Sequence, residues 1–397
     1  MVLGSLTGSD FTLRNPLISE DTKATLDSIT ALGGEVRAGQ GEVMIRCEQL
    51  RPAVGVIDAR NSGTTIRIIT GIASLLPSAT TLTGDASLVR RPMGPLVDAL
   101  TQLGAKCTYI GHPGHPPLRI TGPISGQRTH IPGGVSSQFI SSLLIACSQK
   151  KGETSIEIDG EVTSKPYVDI TLEILRDFGG EALATTEGFT VPGEQSLKQD
   201  SYVVPGDFSS AAFPLSAAAI TGGDVTVRNL ARGSPQGDKA IVDHLRAFGA
   251  KAIVTEGSVR VIGGHLKGVN VNVQSTPDLF PILAVVGAVA DGTTVLHGGG
   301  NLRAKESDRI ATTTALLEAM GARVHPRPDG CEIIGGGKLH GATVATQGDH
   351  RILMAAAVAA LVSSSETRIE DEASYGVSYP GFLRDMHQLG CRMEVKK

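Results

Sequence analysis

One short pattern recurs six times along this 397-residue chain and limits what it can fold into. An apolar helical run closes on a glycine and passes into a strand-like segment in LDSITALGGEV, LVDALTQLGAKC, ITLEILRDFGGEA, IVDHLRAFGAKA, TTALLEAMGARV and FLRDMHQLGCRM. The closing glycines are Gly33, Gly104, Gly179, Gly249, Gly321 and Gly390, at intervals of 71, 75, 70, 72 and 69 residues. Glycine ends helices because it enters the left-handed region without a Cβ penalty. The period is longer than the roughly 20–50 residues of solenoid repeats, so each unit is expected to be a small βα module of a globular array. The chain also exceeds what one core usually holds, which predicts two domains. The repeat spacing leaves the first unit short, and roughly 31 residues are expected to be missing ahead of Met1.

Composition excludes several classes. No apolar run approaches the ~20 residues of a membrane-spanning helix, and MVLGSLTGSDF has no basic n-region of a signal peptide. The five cysteines form no CxxC pair, which predicts reduced thiols in a cytoplasmic protein. The ten histidines form no HxH or HExxH pattern, so no metal is expected. A net charge of −4 argues against general nucleic-acid binding, yet leaves room for a local cluster of cations.

Polar residues gather where helices are expected to begin. NSGTTIRIITGIASLL (61–76) carries Asn61, Gly63 and Arg67, and RRPMGPLVDAL (90–100) carries Arg90 and Arg91. SSQFISSLLIACS (136–148) starts with Ser136, Ser137 and Gln138, and SKPYVDITLEIL (164–175) with Ser164, Lys165 and Tyr167. Asp278 opens TPDLFPILAVVGAVA (276–290), and Asp349, His350 and Arg351 open GDHRILMAAAVAAL (348–361). The densest case is NLRAKESDR (301–309), where Arg303, Lys305 and Arg309 surround Glu306 and Asp308. Serine, asparagine and aspartate there are ordinary N-caps. Cations are not, because a positive charge in the first turn opposes the helix dipole by ~0.3–1 kcal/mol. Arg67, Arg91, Lys305, Arg309 and Arg351 are all read as lying at helix starts, which points to bound anions held by backbone N–H groups and guanidinium. Glu306, between Lys305 and Arg309, stays available for proton transfer.

NSGTTIR, RRPMGPLVDAL, VSSQF, SKPYVDIT, GDFSSAAF, LRAKESDR and GDHR together, in that order, resemble the 3-phosphoshikimate 1-carboxyvinyltransferases (EPSP synthases) of the enolpyruvyl transferase family. The resemblance runs over nearly the whole chain. It implies an α/β (α+β) fold, a two-domain inverse α/β barrel with about three βαβαββ-type repeats per domain around a pseudo-threefold axis. The implied domains are 1–205 and 206–397, with helix N-termini facing a cleft that closes on the ligands. The implied reaction transfers the enolpyruvyl group of phosphoenolpyruvate to the 5-hydroxyl of 3-phosphoshikimate and releases phosphate. No cofactor is implied, and the protein is expected to be monomeric.

The resemblance also implies roles. Ser136, Ser137, Gln138, Ser164, Tyr167, Asp278, Asn301 and Lys305 would hold 3-phosphoshikimate. Gly63, Arg91, Gln138, Arg309 and Arg351 would meet phosphoenolpyruvate. Asp278 would be the base on the 5-hydroxyl, and Glu306 the acid–base group on the methylene carbon.

Two departures stand against the family pattern. A Lys-Ser pair and a following Arg from the family's N-terminal segment would align ahead of Met1, so activity of the chain as written is in question. Val377, in ASYGVSYPGF, occupies a position where many members carry lysine. The sister transferase acting on UDP-N-acetylglucosamine usually has a cysteine in the loop before its RP helix, and GDASLVRRPM has none. A non-catalytic relative that only binds phosphorylated ligands is the remaining alternative, opposed by retention of both Asp278 and Glu306.

Overall fold

The computed structural model describes residues 1–371 and 373–395. The chain divides into two compact units, Met1–Val204 and Pro205–Lys397, each with its own hydrophobic core.

The repeat is visible as alternating helices of two kinds. One kind is largely apolar and mostly buried. In the first unit these are Gly63–Ala73 and Ser137–Gln149, with the four-residue Val2–Ser5; in the second they are Phe208–Thr221, Phe280–Val289 and His350–Ala360. A helix such as Phe-Pro-Ile-Leu-Ala-Val-Val-Gly-Ala-Val has no polar stripe to show to water, so it goes to the centre of its unit. The other kind ends at the recurring glycines: Glu20–Ala31, Gly94–Gln102, Lys165–Asp177, Ile241–Phe248, Arg309–Ala319 and Phe382–Gln388. All six glycines have positive φ, between 79° and 111°, as the C-cap reading requires.

Strands follow five of those glycines: Glu35–Ala38, Lys106–Tyr109, Leu183–Ala184, Lys251–Val254 and Arg323–Arg327. The sixth expectation fails, since no strand follows Gly390 among the described residues. Among the described residues three repeats show the full βαβαββ order. Val56–Asp58 and Thr80–Thr83 pair in parallel around one buried helix, and Arg128–Pro132 and Thr154–Asp159 around the next. Asn270–Asn272 and Thr293–His297 do the same in the second unit. A parallel pair needs a crossover, and the buried helix supplies it. The first repeat obtains its parallel neighbour from far along the chain, Ser201–Val203 lying beside Asp10–Arg14. The mixed α/β architecture, six small sheets among the described residues, is the one expected. One sheet lacks a parallel pair: among the described residues Asp224–Arg228 pairs only with Ser258–Ile262, which pairs in turn with Lys251–Val254.

Candidate active site

In the first unit the polar side chains gather at the start of the helix Gly63–Ala73. Ser62 caps it through Thr65 N. Arg67 donates to Gln138 Oε1 at 2.6 Å and to Ser136 Oγ at 3.4 Å, and its guanidinium lies 5.1 Å from the centre of the Phe139 ring. Gln138 Nε2 donates to Thr64 Oγ1 at 2.7 Å. Gln138 is thus oriented from both ends, with its carbonyl on a cation and its amide on a hydroxyl. Arg91, 6% exposed, donates to Asn61 Oδ1 at 2.7 Å. Gly63 is where these groups converge: a Cβ there would stand 3.0 Å from Arg91 Nη1 and 3.5 Å from Arg67 Nη1. Its backbone approaches two cations closely because it has no side chain.

Ser136 precedes the helix Ser137–Gln149 as its N-cap residue but makes no capping hydrogen bond, which leaves its hydroxyl on Arg67. Ser164 precedes Lys165–Asp177 in a left-handed conformation, φ 57°, that a residue with a Cβ adopts at a cost. Its Oγ is buried and has no hydrogen-bond partner among the described residues. A strained residue with an orphaned buried hydroxyl is the pattern of a group held for a ligand. Tyr167 stands half-buried one turn along the same helix.

The second unit holds a denser cluster. Arg309, 1% exposed, donates Nε to Asp349 Oδ2 at 2.9 Å, Nη1 to Asp278 Oδ1 at 2.8 Å and Nη2 to Glu306 Oε2 at 2.6 Å. Asp278 also meets Arg351 Nη2 at 2.9 Å and Lys305 Nζ at 3.7 Å. Asp349 is fully buried; it caps His350–Ala360 through Arg351 N and accepts from Ser307 Oγ. Asn301, in the short turn of helix Gly300–Ala304, has a buried Oδ1 without a partner among the described residues.

The electrostatics follow from this geometry. Burial pushes the Asp278 carboxyl up, but Arg351, Lys305 and Arg309 outweigh it and hold it well below the usual carboxylate range. Burial works against the Arg309 charge, but Asp349, Glu306 and Asp278 reverse the balance and raise it above its ordinary value. Burial, then Arg351, pushes the neighbouring His350 down to about 4, so its imidazole is neutral near pH 7. Asp238, buried in the turn Gly237–Ala240 and hydrogen-bonded by Ser209 Oγ, is pushed up to about 7 by burial and by the negative charge of Asp278.

Of the five cations read as lying at helix starts, three lie elsewhere. Only Arg309 and Arg351 lie in the first turn of an α-helix. Arg67 is one turn in, Arg91 follows the short helix Leu88–Arg90, and Lys305 lies in the loop before Arg309. Asn301–Arg303 likewise form part of a 3₁₀ turn, not the start of the following helix. The cations are assembled by loops around helix starts, and buried carboxylates hold those of the second unit in place. Sequence reasoning missed Asp238, and it read Asp349 as a cap without seeing its ion pair to Arg309. The Gly-Asp pairs at 206–207, 237–238 and 348–349 were the available signal for turn carboxylates. Val377 is half-buried in the turn Ser374–Val377. Among the described residues no group of His, Cys, Asp and Glu is placed to hold a metal ion.

Comparison with known proteins bears on this arrangement. A family model described as EPSP synthase (3-phosphoshikimate 1-carboxyvinyltransferase) matches residues 1–386. A 3-phosphoshikimate 1-carboxyvinyltransferase of Methanocorpusculum labreanum is 44% identical over 99% of this chain and 93% of its own length. One from Methanocella arvoryzae is 45% identical over 100% of this chain and 94% of its own. Among solved structures, EPSP synthase from Acinetobacter baumannii superposes with a TM-score of 0.81 at 28% identity, covering 100% of this chain and 94% of that one.

Proposed function

Because the chain belongs to the EPSP synthase family and transfers the enolpyruvyl group of phosphoenolpyruvate to 3-phosphoshikimate, we propose how its residues divide that chemistry. Ser136, Ser137, Gln138, Ser164 and Tyr167 hold 3-phosphoshikimate from the first unit, and Asp278, Asn301 and Lys305 from the second. Gly63, Arg91 and Gln138 meet phosphoenolpyruvate from the first unit, and Arg309 and Arg351 from the second. The orphaned Ser164 Oγ and Asn301 Oδ1 support the first assignment, since each is a buried polar atom that a hydroxylated ligand would satisfy.

The observation that carries the mechanism is the triple pairing of Asp278 with Lys305, Arg309 and Arg351. In this state Asp278 is a poor base, because three cations favour its ionised form. An incoming phosphate or carboxylate competes for the same cations, withdraws them from Asp278 and raises its proton affinity. The base is thereby activated when the anionic substrates are in place, and it takes the 5-hydroxyl proton as that oxygen attacks C2 of phosphoenolpyruvate. Glu306 is paired with Arg309 in this state. Once the substrate anions take up that guanidinium, it can bind a proton from solvent and give it to the methylene carbon. On collapse of the tetrahedral adduct a methyl proton returns to it as phosphate leaves, while the proton taken by Asp278 goes to the departing phosphate or to solvent. The guanidinium groups stabilise the phosphate as it departs. We place the enzyme in the cytoplasm as a monomer, a reading supported for the compartment by its five free cysteines.

Phosphate release from phosphoenolpyruvate, dependent on 3-phosphoshikimate, is the direct assay. Glu306→Gln is expected to leave both KM values within a few-fold and to cut kcat by ~100-fold or more. Unchanged turnover removes Glu306 from the mechanism.

A further inference from the structure

The strand Thr80–Thr83 runs into Gly84 and Asp85, which lie against the residues preceding Gly63. A Cβ on Gly84 would fall 2.6 Å from Arg60 O and 2.3 Å from the Leu88 side chain, so only glycine allows this approach. It brings Asp85 N within 2.7 Å of Arg60 O. The Asp85 carboxylate is then held by its own turn, Oδ1 accepting from Ser87 N at 2.9 Å and from Leu88 N at 2.8 Å. Its other oxygen accepts from Asn61 Nδ2 at 2.6 Å, and Asn61 Oδ1 accepts from Arg91 Nη2 at 2.7 Å.

A primary amide between a carboxylate and a guanidinium has one allowed orientation, because the carboxylate cannot donate and the guanidinium cannot accept. Asp85 therefore sets which end of Asn61 faces Arg91. That matters because Arg91 and Arg67 both come to where a Gly63 Cβ would stand, at 3.0 and 3.5 Å, and two like charges brought so close separate unless each is tethered. We infer that Asp85 is a positioning residue for the reaction, fixing the Arg91 guanidinium for phosphoenolpyruvate through the Asn61 amide. The inference rests on the reading of Arg91 as a phosphoenolpyruvate ligand. The reaction asks for such a tether, since a guanidinium recognises phosphate or carboxylate by direction as well as charge.

The test uses steady-state kinetics on Asp85→Asn, Asn61→Asp, the double variant and Arg91→Lys, with the melting temperature of each. Asp85→Asn keeps an oxygen for Ser87 N and Leu88 N, so the turn survives, but it presents an NH₂ to the NH₂ of Asn61. It is expected to raise KM for phosphoenolpyruvate about tenfold, with KM for 3-phosphoshikimate and the melting temperature close to wild type. In the double variant the roles are exchanged: the amide introduced in place of the Asp85 carboxylate donates to the carboxylate introduced in place of the Asn61 amide. The second oxygen of that carboxylate again accepts from Arg91. The double variant should therefore recover KM for phosphoenolpyruvate to within about threefold. An increase in Asp85→Asn without recovery in the double variant overturns the relay, as does an unchanged KM in Asp85→Asn when Arg91→Lys raises it. If Arg91→Lys also leaves KM unchanged, Arg91 is not a phosphoenolpyruvate ligand, and both readings fall together.

Discussion

Arg309→Met tests the buried cluster most directly. The side chain is 1% exposed and bonded to three carboxylates, one of which, Asp349, is itself fully buried. Removing one partner of a buried ion pair costs ~3–5 kcal/mol, because the other charge remains in a poorly solvating site. Asp349 keeps bonds from Ser307 Oγ and Arg351 N, and Asp278 keeps Arg351 and Lys305. The loss should therefore sit near the lower end, about 3 kcal/mol. For a unit of this size that lowers the melting temperature by roughly 6–12 °C. Calorimetry on ligand-free protein at pH 7 would measure it for Arg309→Met, Asp349→Asn and the double variant. The double variant should lose less than the sum by ~1–3 kcal/mol, since it leaves no buried charge unmatched at that pair. A single-variant loss under about 1 kcal/mol, or simple additivity, would refute the claim that the pair is mutually dependent.

Two further outcomes follow from the same geometry. Asp238 binds its proton more tightly folded than unfolded, so it stabilises the fold at low pH, and that contribution is lost as pH rises from about 4 towards 7. Asp238→Asn should therefore gain melting temperature over wild type on going from about pH 5 to about pH 8; a constant difference across that range would show that Asp238 does not titrate there. Ser164→Ala removes a buried hydroxyl that has no partner among the described residues. It should leave ligand-free stability unchanged or higher, while raising KM for 3-phosphoshikimate about tenfold, as expected for a lost hydrogen bond to a substrate. Lower stability with an unchanged KM would make Ser164 a structural residue.

What could be read in advance depended on whether a signal was local. The six C-cap glycines were legible because positive φ is a property of one residue and its neighbours. Four of the buried helices, at 61–76, 136–148, 276–290 and 348–361, were equally legible from their apolar runs. The position of each cation relative to its helix was not, because where a helix starts is decided by a capping bond and a preceding loop. Arg91 illustrates this: RRPMGPLVDAL (90–100) was read as helical from its start, yet the helix begins at Gly94. Pairings across long stretches of chain were invisible. Asp349 to Arg309, Asp85 to Asn61 and Ser201–Val203 beside Asp10–Arg14 all depend on the fold that brings them together. The site was thus readable as a set of residue types and not as a network.

The sheet that begins at Asp224–Arg228 has a consequence for handling the protein. The strand has no paired neighbour on its other side among the described residues, whereas five other sheets each contain a parallel pair. Its sequence, DVTVR, alternates valines with polar residues and is closed by charge at both ends, Asp224 being held by Arg260. Backbone N–H and C=O groups along such an edge are a template on which an extended segment from another molecule can add. The terminal charges blunt that tendency and weaken as salt screens them. Protein concentration and ionic strength would then bear on whether stored material stays dispersed.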